Sequence, residues 1–367
     1  MNFIETFKKG KSGLNIGLNT GLSNLNKANN GLQKRTIIGI AAPPKCGKSK
    51  LVDAHTILYP YLLNENADIE WIYFSYEMDR VQKEFAFTVF FLFYDFHMTH
   101  FVHNGIQYEI TTDYLMGRLQ DNDGKSIIVD SVIEEKIKII YSNRIVPLFG
   151  EYDCENKRIK KGKINFVENK MNADEMNTFI FRYAKENGRF ISNVNNEIIS
   201  YVPDNPNRYV IIITDTLRKI KMKANVSLKE SVDTWISHSV TLRNLCNYIF
   251  VHIIHTNRSL SSIERLKYNA EFIYPTGDDT KDTGNLSEEA DYFLTLFNPN
   301  DEKYGITKHF GLELFDTAKN LLYPNYRSLH LVESRHTECP VHMQLTLNGA
   351  TGYYEKLKKQ EASYGIF

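Results

Sequence analysis

Four apolar runs along the chain predict strands buried on both faces of a sheet, because β-branched residues follow one another without polar alternation. They are TIIGIAA from Thr36, IEWIYFSYEM from Ile69, YVIIITDTL from Tyr209 and NYIFVHIIHTN from Asn247. Helical patterns lie between them, including one that should begin near Lys48 and the apolar stretch from Phe85 to Phe96. Strands separated by helices predict the α/β class, with a mainly parallel central sheet flanked by helices.

The interval between the second and third strands, from about Asp79 to Pro206, is too long for one crossover connection and predicts an insertion. Within it, VPLFGEYDCENKRIKKGKINFVEN predicts a β-hairpin with a basic tip at about residues 145–170. The segment MNADEMNTFIFRYAKENGR predicts a helix ending at Gly188. After the fourth strand, ADYFLTLFNP has strand character, and SLHLVES and VHMQLTLNG predict a C-terminal β-ribbon.

The extent of regular patterning sets the expected domain limits. A chain of 367 residues can bury a substantial core, and we expect one principal domain over residues 20–357. Residues 1–19 are expected to be a linker or subunit-docking segment, because a short amphipathic turn with Phe3 and Phe7 precedes a Gly/Asn/Lys-rich stretch. Residues 358–367 are expected to be a tail.

Charge and cysteine content narrow the class of protein. Lys and Arg number 44 and so do Asp and Glu, so a nucleic-acid surface would have to come from local clusters of cations. The four cysteines are scattered without disulfide or zinc-site spacing, which favours free thiols in a reducing compartment. No apolar run approaches the roughly 20 residues of a membrane span. Together with an N-terminus unlike a signal peptide, these features predict a cytoplasmic protein outside the membrane.

The motif that carries chemistry directly follows the first strand. It reads Ala42-Pro43-Pro44-Lys45-Cys46-Gly47-Lys48-Ser49. This matches the phosphate-binding pattern G-x-x-x-x-G-K-[ST], except that alanine replaces the first glycine. Such a loop turns backbone N–H groups toward phosphate oxygens, while its lysine neutralises the outer phosphates and its hydroxyl binds magnesium. We therefore predict ATP at this loop and the adjoining Lys50, with Mg²⁺ at Ser49; a chance match in a lysine-rich chain is the weaker alternative.

Polar residues end the other predicted strands and are candidates for the remaining roles. Asp215 ends the third strand and suits a carboxylate that supports the magnesium shell, or else a turn cap. Glu77 ends the second strand as a candidate base for the attacking water, or else as a surface residue at a helix start. His255 ends the fourth strand, where it could contact the γ-phosphate or be structural. Carboxyl ends of neighbouring parallel strands meet in one crevice, so we expect these side chains to converge.

The order of motifs resembles that of the DnaB-like hexameric replicative DNA helicases. The matching segments, from Thr20 to about Tyr354, are TGLSNLN, the phosphate-binding loop, IYFSYEM, VIIITDTLRKI, HIIHTNRSL, DTGNLSEEADYFLTL and VESRHTECPVHMQLTLNG. The resemblance implies a RecA-like P-loop ATPase domain over residues 20–357. It also implies that Glu77 polarises the attacking water, that Asp215 supports magnesium and that His255 senses the γ-phosphate.

A basic finger from the neighbouring subunit completes each ATP site in this family, through a Lys-x-Arg motif. The matching residues are Glu333-Ser334-Arg335. The resemblance implies that Arg335 is the finger, because a planar guanidinium suits the charge of the transition state. Glu333 stands where the family has lysine, and an ordinary salt bridge is the alternative role of Arg335.

Loops that project into the ring channel contact DNA in this family. Two segments match in position: Arg218, Lys219, Lys221 and Lys223 just after Asp215, and the stretch from Asp278 to Gly284 with Lys281. Clustered cations can follow a phosphate backbone, although such runs more often form a solvated face. The cations of the insertion hairpin have no counterpart in the family pattern and are interpreted as solvated: Lys157, Arg158, Lys160, Lys161 and Lys163.

The resemblance implies an ATP- and Mg²⁺-dependent helicase that forms a homo-oligomer, expected to be a hexameric ring. It would move 5′ to 3′ along single-stranded DNA and unwind duplex during replication, with primase or a loader as a further partner. The family's N-terminal collar has no counterpart here, and abundant Asn, Lys and Ile favour a phage or mobile-element origin, hence a host cytoplasm. Two alternatives remain open: a recombination- or clock-type RecA-like ATPase without unwinding, and a nucleotide-binding ring or loader protein with weak hydrolysis.

Overall fold

A computed structural model of the chain describes residues 3–11, 16–257, 262, 266, 270–280 and 285–358. Within this part of the chain, a nine-stranded sheet forms the centre of the molecule. Its strands, in chain order, are β1 (Thr36–Ala42), β2 (Ile69–Ser75), β3 (Ile164–Val167), β4 (Tyr209–Asp215), β5 (Ile249–His255), β6 (Tyr292–Phe297), β7 (Tyr326–Ser334), β8 (Val341–Leu347) and β9 (Tyr354–Lys356).

The sheet is parallel on one side and antiparallel on the other. Across it the strands follow the order β9-β8-β7-β6-β1-β5-β4-β2-β3. Each pairing from β6 to β3 is parallel, whereas β7, β8 and β9 add to β6 in antiparallel fashion. The predicted α/β class with a mainly parallel sheet and a C-terminal ribbon is therefore confirmed, and the ribbon strands extend the sheet itself.

Helices connect and cover these strands. Within the described residues they are α1 (Phe3–Lys11), α2 (Ser23–Asn29), α3 (Lys48–Val52), α4 (Tyr59–Leu63), α5 (Arg80–Phe96), α6 (Thr112–Leu115), α7 (Ser131–Ile140), α8 (Val146–Phe149), α9 (Ala173–Glu186), α10 (Leu228–Cys246) and α11 (Asn285–Glu289). A π-helical segment, Asp53–Leu58, joins α3 to α4 without a break, and another, Tyr141–Ile145, joins α7 to α8.

Local hydrogen bonds explain where the long helices begin. The Asp79 side chain accepts from the backbone N–H of Gln82 at the start of α5, and Ser227 forms a capping box with Glu230 at the start of α10. The predicted helix ending at Gly188 ends at Glu186 instead. Gly188 begins a strand, and a Cβ there would come within 2.5 Å of the carbonyl oxygen of Val202. Gly188 therefore allows two strands to approach each other closely, and it is not the residue that ends the helix.

The insertion between β2 and β4 consists of the helices α5 to α9, three two-stranded hairpins and the sheet strand β3. The predicted basic hairpin is present as Gly150–Tyr152 paired with Arg158–Lys161. Its continuation INFV leaves the hairpin and becomes β3, which pairs in parallel with β2. This happens because Ile164 and Val167 are buried on the central sheet, while the hairpin residues before them are exposed.

Core side chains alternate between the two faces of the sheet, as continuous apolar strands require. On one face Ile38 and Ile40 of β1 belong to the cluster that contains Trp71, and on the other Ile37 and Ala41 belong to the cluster that contains Trp235. Both indole N–H groups donate hydrogen bonds, to the Thr56 carbonyl at 2.7 Å and to the Thr214 hydroxyl at 3.1 Å. The sheet is thus a buried central layer between two helical layers.

Two further expectations concern cysteine pairing and membrane spans. All four cysteines are free; Cys46 and Cys246 are buried, and Cys154 and Cys339 are exposed. The scattered spacing therefore did indicate unpaired thiols. Of the helices in the described ranges, none combines the length and the apolar character that crossing a membrane requires.

Two fully buried histidines predict a loss of stability in mild acid. Burial lowers the pKa of His55 to about 4 and of His252 to about 3, from an ordinary value of 6.5. The unfolded chain therefore binds protons below pH 6.5 that the folded chain does not, so the free energy of unfolding falls as the pH drops from 6.5 toward 4. Each histidine should contribute on the order of 2–4 kcal/mol across that window, measurable by urea titration at stepped pH.

The variant His252→Phe is the matched control for this pH dependence. The imidazole of His252 lies 6.1 Å from the Trp235 ring and 5.9 Å from the Phe250 ring, so a phenyl group at this position has aromatic neighbours. At neutral pH the variant loses only the hydrogen bond between His252 and Ser239. It should lose less stability than the unchanged chain as the pH is lowered, and equal losses in both would show that His252 has no part in the effect.

Candidate active site

The phosphate-binding loop connects the end of β1 to the start of α3. Gly47 has a φ of 99°, which glycine adopts easily, and a Cβ at this position would meet the side chains of Leu347 and Tyr354 at 2.7 Å. Ala42 is the last residue of β1 and pairs with His255 on β5, so it lies in extended backbone. Alanine is acceptable there because this position of the loop does not need a positive φ.

Other loop residues anchor the loop to the antiparallel side of the sheet. The Cys46 carbonyl accepts a hydrogen bond from Arg327 on β7, and the Cys46 thiol lies 3.5 Å from the Leu296 carbonyl. Burial raises the pKa of Cys46 to about 12, so the thiol stays neutral. Pro43 is buried, whereas Pro44 and Lys45 are exposed at the tip. The side chain of Lys50 donates to the carbonyl of Gly349 and so points away from the loop.

Lys48 and His255 contact each other inside the crevice, with 3.3 Å between Lys48 Nζ and His255 Nδ1. An ammonium group can only donate, so His255 Nδ1 accepts and the ring proton is on Nε2. Burial and the nearby cations Lys48 and Arg218 lower the pKa of His255 to about 4. Burial also lowers the pKa of Lys48, opposed by the charges of Glu77 and Asp215. At neutral pH His255 is therefore a neutral donor beside a lysine.

Asp215 and Ser49 bring hard oxygen atoms together at the base of the loop. Ser49 Oγ lies 3.3 Å from Asp215 Oδ1, and Asp215 is only 2% exposed. A hydroxyl and a carboxylate beside bound phosphates are the ligand types that Mg²⁺ uses in nucleotide sites. Across the described residues, no group of three or more His, Cys, Asp or Glu side chains is placed to hold a metal ion. The donor set thus fits a magnesium ion that shares its shell with nucleotide phosphates.

Glu77 lies just beyond β2, in the turn before α5, and its side chain is exposed. It lines a cavity of about 310 Å³ together with Thr216, Arg218, Lys219 and His255. The expectation that neighbouring strand ends would deliver their polar residues to one crevice holds for these residues. Glu77 faces open space where a water molecule has room to approach.

The cationic run after Asp215 divides into two pairs with different surroundings. Arg218 and Lys219 line the cavity of Glu77 and His255. Lys223 forms an ion pair with Asp174, and Lys221 lies 4.0 Å from Glu175, both acids being at the start of α9. The run therefore does not present one continuous cationic surface. Lys281 lies outside the described residues.

Sequence reasoning missed the position of Arg218 and Lys219 beside the catalytic candidates. The signal was available, because these cations follow the strand-terminal Asp215 at the same edge of the sheet. The cations of the insertion hairpin are solvent-exposed as expected, apart from the half-buried Lys163. Among them, Lys157 pairs with Glu155 and Lys161 with Glu70.

Arg335 lies at the opposite edge of the sheet from the loop of its own chain. Its backbone N–H donates to the Asp291 carbonyl, and the Asp291 N–H donates in turn to the Ile37 carbonyl at the start of β1. The loop begins after Ala42, five strand residues further on, which corresponds to roughly 16 Å. The guanidinium lies 3.7 Å from Asp291 and 3.9 Å from Glu289. Arg335 is thus positioned away from the nucleotide loop of its own subunit.

Glu333 is the other member of the finger motif and differs from the family's lysine in charge. Its side chain is exposed, on β7. Burial and the nearby carboxylates Asp278 and Glu288 raise the pKa of its carboxyl above the ordinary value. The segment expected to form the finger therefore has Arg335 close to several acidic side chains.

A buried polar cluster next to Asp215 was not anticipated from the sequence. Lys83 on α5, 1% exposed, forms an ion pair with Asp53 at 2.8 Å. The Tyr73 hydroxyl on β2 lies 3.0 Å from Lys83 Nζ and 3.0 Å from Asp215 Oδ2. Burial and the charges of Asp215 and Asp53 raise the pKa of Tyr73 well above its ordinary value, so the phenol keeps its proton. A signal for this cluster was available, because Asp53 and Lys83 each lie on the buried side of a helical segment, where a charged residue needs a partner.

Two solved structures share the fold of this chain. The chain is similar to a solved structure described as an "ATPase Domain", with a TM-score of 0.65 and 14% identity over 97% of each chain. It is also similar to "The Structure Of A DnaB-Like Replicative Helicase And Its Interactions With Primase", with a TM-score of 0.64 and 13% identity, over 97% of this chain and 66% of that one. No family model and no curated protein matches the sequence. The fold is that of the ATPase domains of DnaB-like replicative helicases.

Proposed function

We propose that this chain is the ATPase motor of a DnaB-like DNA helicase. It hydrolyses ATP at the subunit interfaces of a homo-oligomeric ring, expected to be hexameric, and moves 5′ to 3′ along single-stranded DNA to unwind duplex during replication. The observation that carries the proposal is the convergence of Lys48, Ser49, Asp215, Glu77 and His255 on one crevice at the carboxyl edge of the sheet. The likeness of fold to DnaB-like ATPase domains supports the same assignment.

Each side chain in the crevice has a distinct task in this hydrolysis. Lys48 neutralises the phosphates that the loop backbone binds. The Nε2–H of His255 is a hydrogen-bond donor for the γ-phosphate, and its neutral state lets it respond to that charge without a change of protonation. Glu77 accepts a proton from the attacking water. Ser49 and Asp215 would hold Mg²⁺, which neutralises charge that develops on the phosphates.

The position of Arg335 supports action between subunits. Because it lies at the sheet edge opposite its own loop, its guanidinium suits the nucleotide of a neighbouring subunit, where it stabilises transition-state charge. Helix α1 has exposed apolar side chains at Phe3, Ile4 and Phe7, which suit docking on an adjacent subunit. Head-to-tail contacts of this kind are heterologous interfaces. Such interfaces produce a ring when the rotation from one subunit to the next closes.

Contacts with single-stranded DNA are proposed for the loops at this end of the sheet. Arg218 and Lys219 line the cavity of Glu77 and His255, which supports a role for these cations in contacting phosphate groups of nucleotide or DNA. Lys221 and Lys223 would have to exchange their pairing with Glu175 and Asp174 for phosphates of DNA. Lys281 is also proposed to contact DNA, because it belongs to the stretch from Asp278 to Gly284 that matches a DNA-contacting loop of the family. Primase or a loader is a further proposed partner, consistent with the primase interaction named for one similar structure.

A DNA-dependent ATPase assay on oligomer-sized protein tests the proposed function. Hydrolysis should require Mg²⁺ and rise when single-stranded DNA is added, and forked duplex should be unwound in the same preparation. The Lys48→Ala variant should lose both activities, because the phosphates lose their main cation. Vigorous hydrolysis that ignores DNA, with no unwinding, would contradict the helicase assignment and favour a RecA-like ATPase of another kind.

Glu333 favours one second candidate, a nucleotide-binding ring or loader protein with weak hydrolysis. Its carboxyl group stands two residues from Arg335 and lies near Asp278 and Glu288. An acidic finger segment would weaken the stabilisation of phosphate charge on a neighbouring subunit. Nucleotide binding with negligible turnover, in a preparation shown to be oligomeric, would make this candidate the better one.

A further inference from the structure

The cluster formed by Lys83, Asp53 and Tyr73 places charge in the interior of the domain. Lys83 is 1% exposed, Asp53 is 8% exposed and Tyr73 is fully buried. Burying an ion pair takes two charges out of water, and apolar residues of similar volume are often equally stable or more stable at such positions. Fold stability alone therefore does not explain why these side chains are polar.

The donor count in the cluster fixes the direction of each hydrogen bond. Lys83 has three protons, and three acceptors surround its Nζ: Asp53 Oδ2 at 2.8 Å, Tyr73 Oη at 3.0 Å and Asp53 Oδ1 at 3.1 Å. Tyr73 thus accepts from Lys83 and has one proton left to donate. Asp215 Oδ2, at 3.0 Å, is closer than Asp53 Oδ1, at 3.3 Å, and Asp53 already receives two bonds from Lys83. The phenolic O–H of Tyr73 therefore donates its hydrogen bond to Asp215.

The bond from Tyr73 holds one oxygen of Asp215, while the other oxygen faces Ser49 at 3.3 Å. A carboxylate fixed at one oxygen has a single orientation in which the second oxygen meets the phosphate-binding loop. The cluster also joins the elements around the crevice, because Lys83 is on α5, Tyr73 on β2 and Asp53 on the π-helical segment after α3. The cluster therefore reaches the proposed magnesium side of the site through its bond to Asp215.

We propose that Lys83, Asp53 and Tyr73 are positioning residues, which orient the Asp215 carboxylate so that it can support Mg²⁺ in the nucleotide complex. Lys83 and Asp53 act through Tyr73, and Tyr73 acts through its bond to Asp215. This inference rests on the nucleotide-binding part of the proposed function and is independent of DNA unwinding. Partners of this kind affect metal affinity through the orientation of the ligand.

Binding of a fluorescent ADP analogue, titrated with Mg²⁺ and compared with binding in EDTA, tests the proposal. The Tyr73→Phe variant keeps the ring, which stacks on Phe166 with centroids 5.3 Å apart, and loses only the hydroxyl. We expect the Mg²⁺ concentration at half-saturation to rise about tenfold. Binding in EDTA should be unchanged, because the loop and Lys48 are intact. A purely structural defect would weaken binding under both conditions.

A second variant removes the ion pair without leaving a lone buried charge. In Asp53→Leu/Lys83→Met the apolar pair should keep the fold, whereas Lys83→Met alone would leave Asp53 buried and unpaired. The double variant should also raise the Mg²⁺ requirement, but by less than Tyr73→Phe, since the Tyr73 oxygen loses the ammonium group that holds it while its own bond to Asp215 can still form. Tyr201→Phe is the matched control: the Tyr201 hydroxyl lies 2.9 Å from the carbonyl oxygens of Ala184 and Asn187, on α9 and just after it, and its loss should not alter the Mg²⁺ requirement.

The outcomes separate this inference from the proposed function. An unchanged Mg²⁺ requirement in both folded variants, with wild-type binding intact, overturns the positioning role alone. A selective rise in both variants, absent from Tyr201→Phe, supports it even if the chain does not unwind DNA. A wild-type chain that binds no Mg²⁺–nucleotide overturns the inference together with the proposed function.

Discussion

Glu77→Gln is expected to lower the rate of ATP hydrolysis roughly 100- to 10,000-fold, the range for loss of a general base. Glutamine keeps the size of the side chain but cannot take a proton from water. Nucleotide binding should be nearly unchanged, because Glu77 faces the cavity in front of His255, whereas the loop and Lys48 hold the phosphates. Single-turnover hydrolysis and equilibrium binding of a nucleotide analogue measure the two quantities separately.

The matched control for this variant is Glu65→Gln, at an exposed glutamate in the turn before β2. It changes the net charge by the same amount and should leave hydrolysis unaltered. Substantial hydrolysis by Glu77→Gln would assign the base to another residue. A parallel loss of binding and hydrolysis would instead give Glu77 a role in holding the site together.

Chains carrying Arg335→Ala and chains carrying Lys48→Ala should each be inactive, and a mixture of the two should recover hydrolysis. The loss in each should be large, on the order of 1,000-fold for an arginine finger. Recovery is expected because some interfaces in a mixed oligomer combine the intact loop of one chain with the intact Arg335 of the other. The proposal of action between subunits predicts this recovery, since Arg335 lies at the opposite end of the sheet from the loop of its own chain.

A mixture of Lys48→Ala with Asp215→Asn is the negative control. Both substitutions damage the same side of the interface, so no pairing of these chains restores a complete site. ATPase rates are measured on mixtures allowed to exchange subunits, alongside sedimentation to confirm assembly. If the first mixture stays inactive although mixed oligomers form, Arg335 does not act across the interface.

Much of the sheet could be predicted because its parallel strands are buried on both faces and therefore appear as unbroken apolar runs. The runs ending at Ala42, Asp215 and His255 became β1, β4 and β5 with closely matching limits. The convergence of Asp215 and His255 near the loop also followed, since parallel strands end at a common edge. The local sequence pattern was sufficient to predict these strands, because each of them is buried along almost its whole length.

Side-chain partners could not be predicted, because they depend on which elements become neighbours. The pairing of Lys221 and Lys223 with acids of α9 arises from packing between segments far apart in sequence. The same holds for Lys83, whose partner Asp53 belongs to a different helix. In a one-dimensional pattern, a lysine on a helix resembles a solvated residue until a buried carboxylate is placed beside it.

The position of β1 in the sheet has a consequence for biosynthesis. Its two neighbours are β5 and β6, which come from the far half of the chain, so Thr36 pairs with Ile249 and Ile38 with Tyr292. Closing such long loops is entropically unfavourable and slows folding. During translation the phosphate-binding loop leaves the ribosome early, but the strands that support it emerge much later. The nascent chain therefore exposes an apolar strand until the residues of β5 and β6 have been made, and chaperones should be needed more than for a protein whose central strand pairs locally.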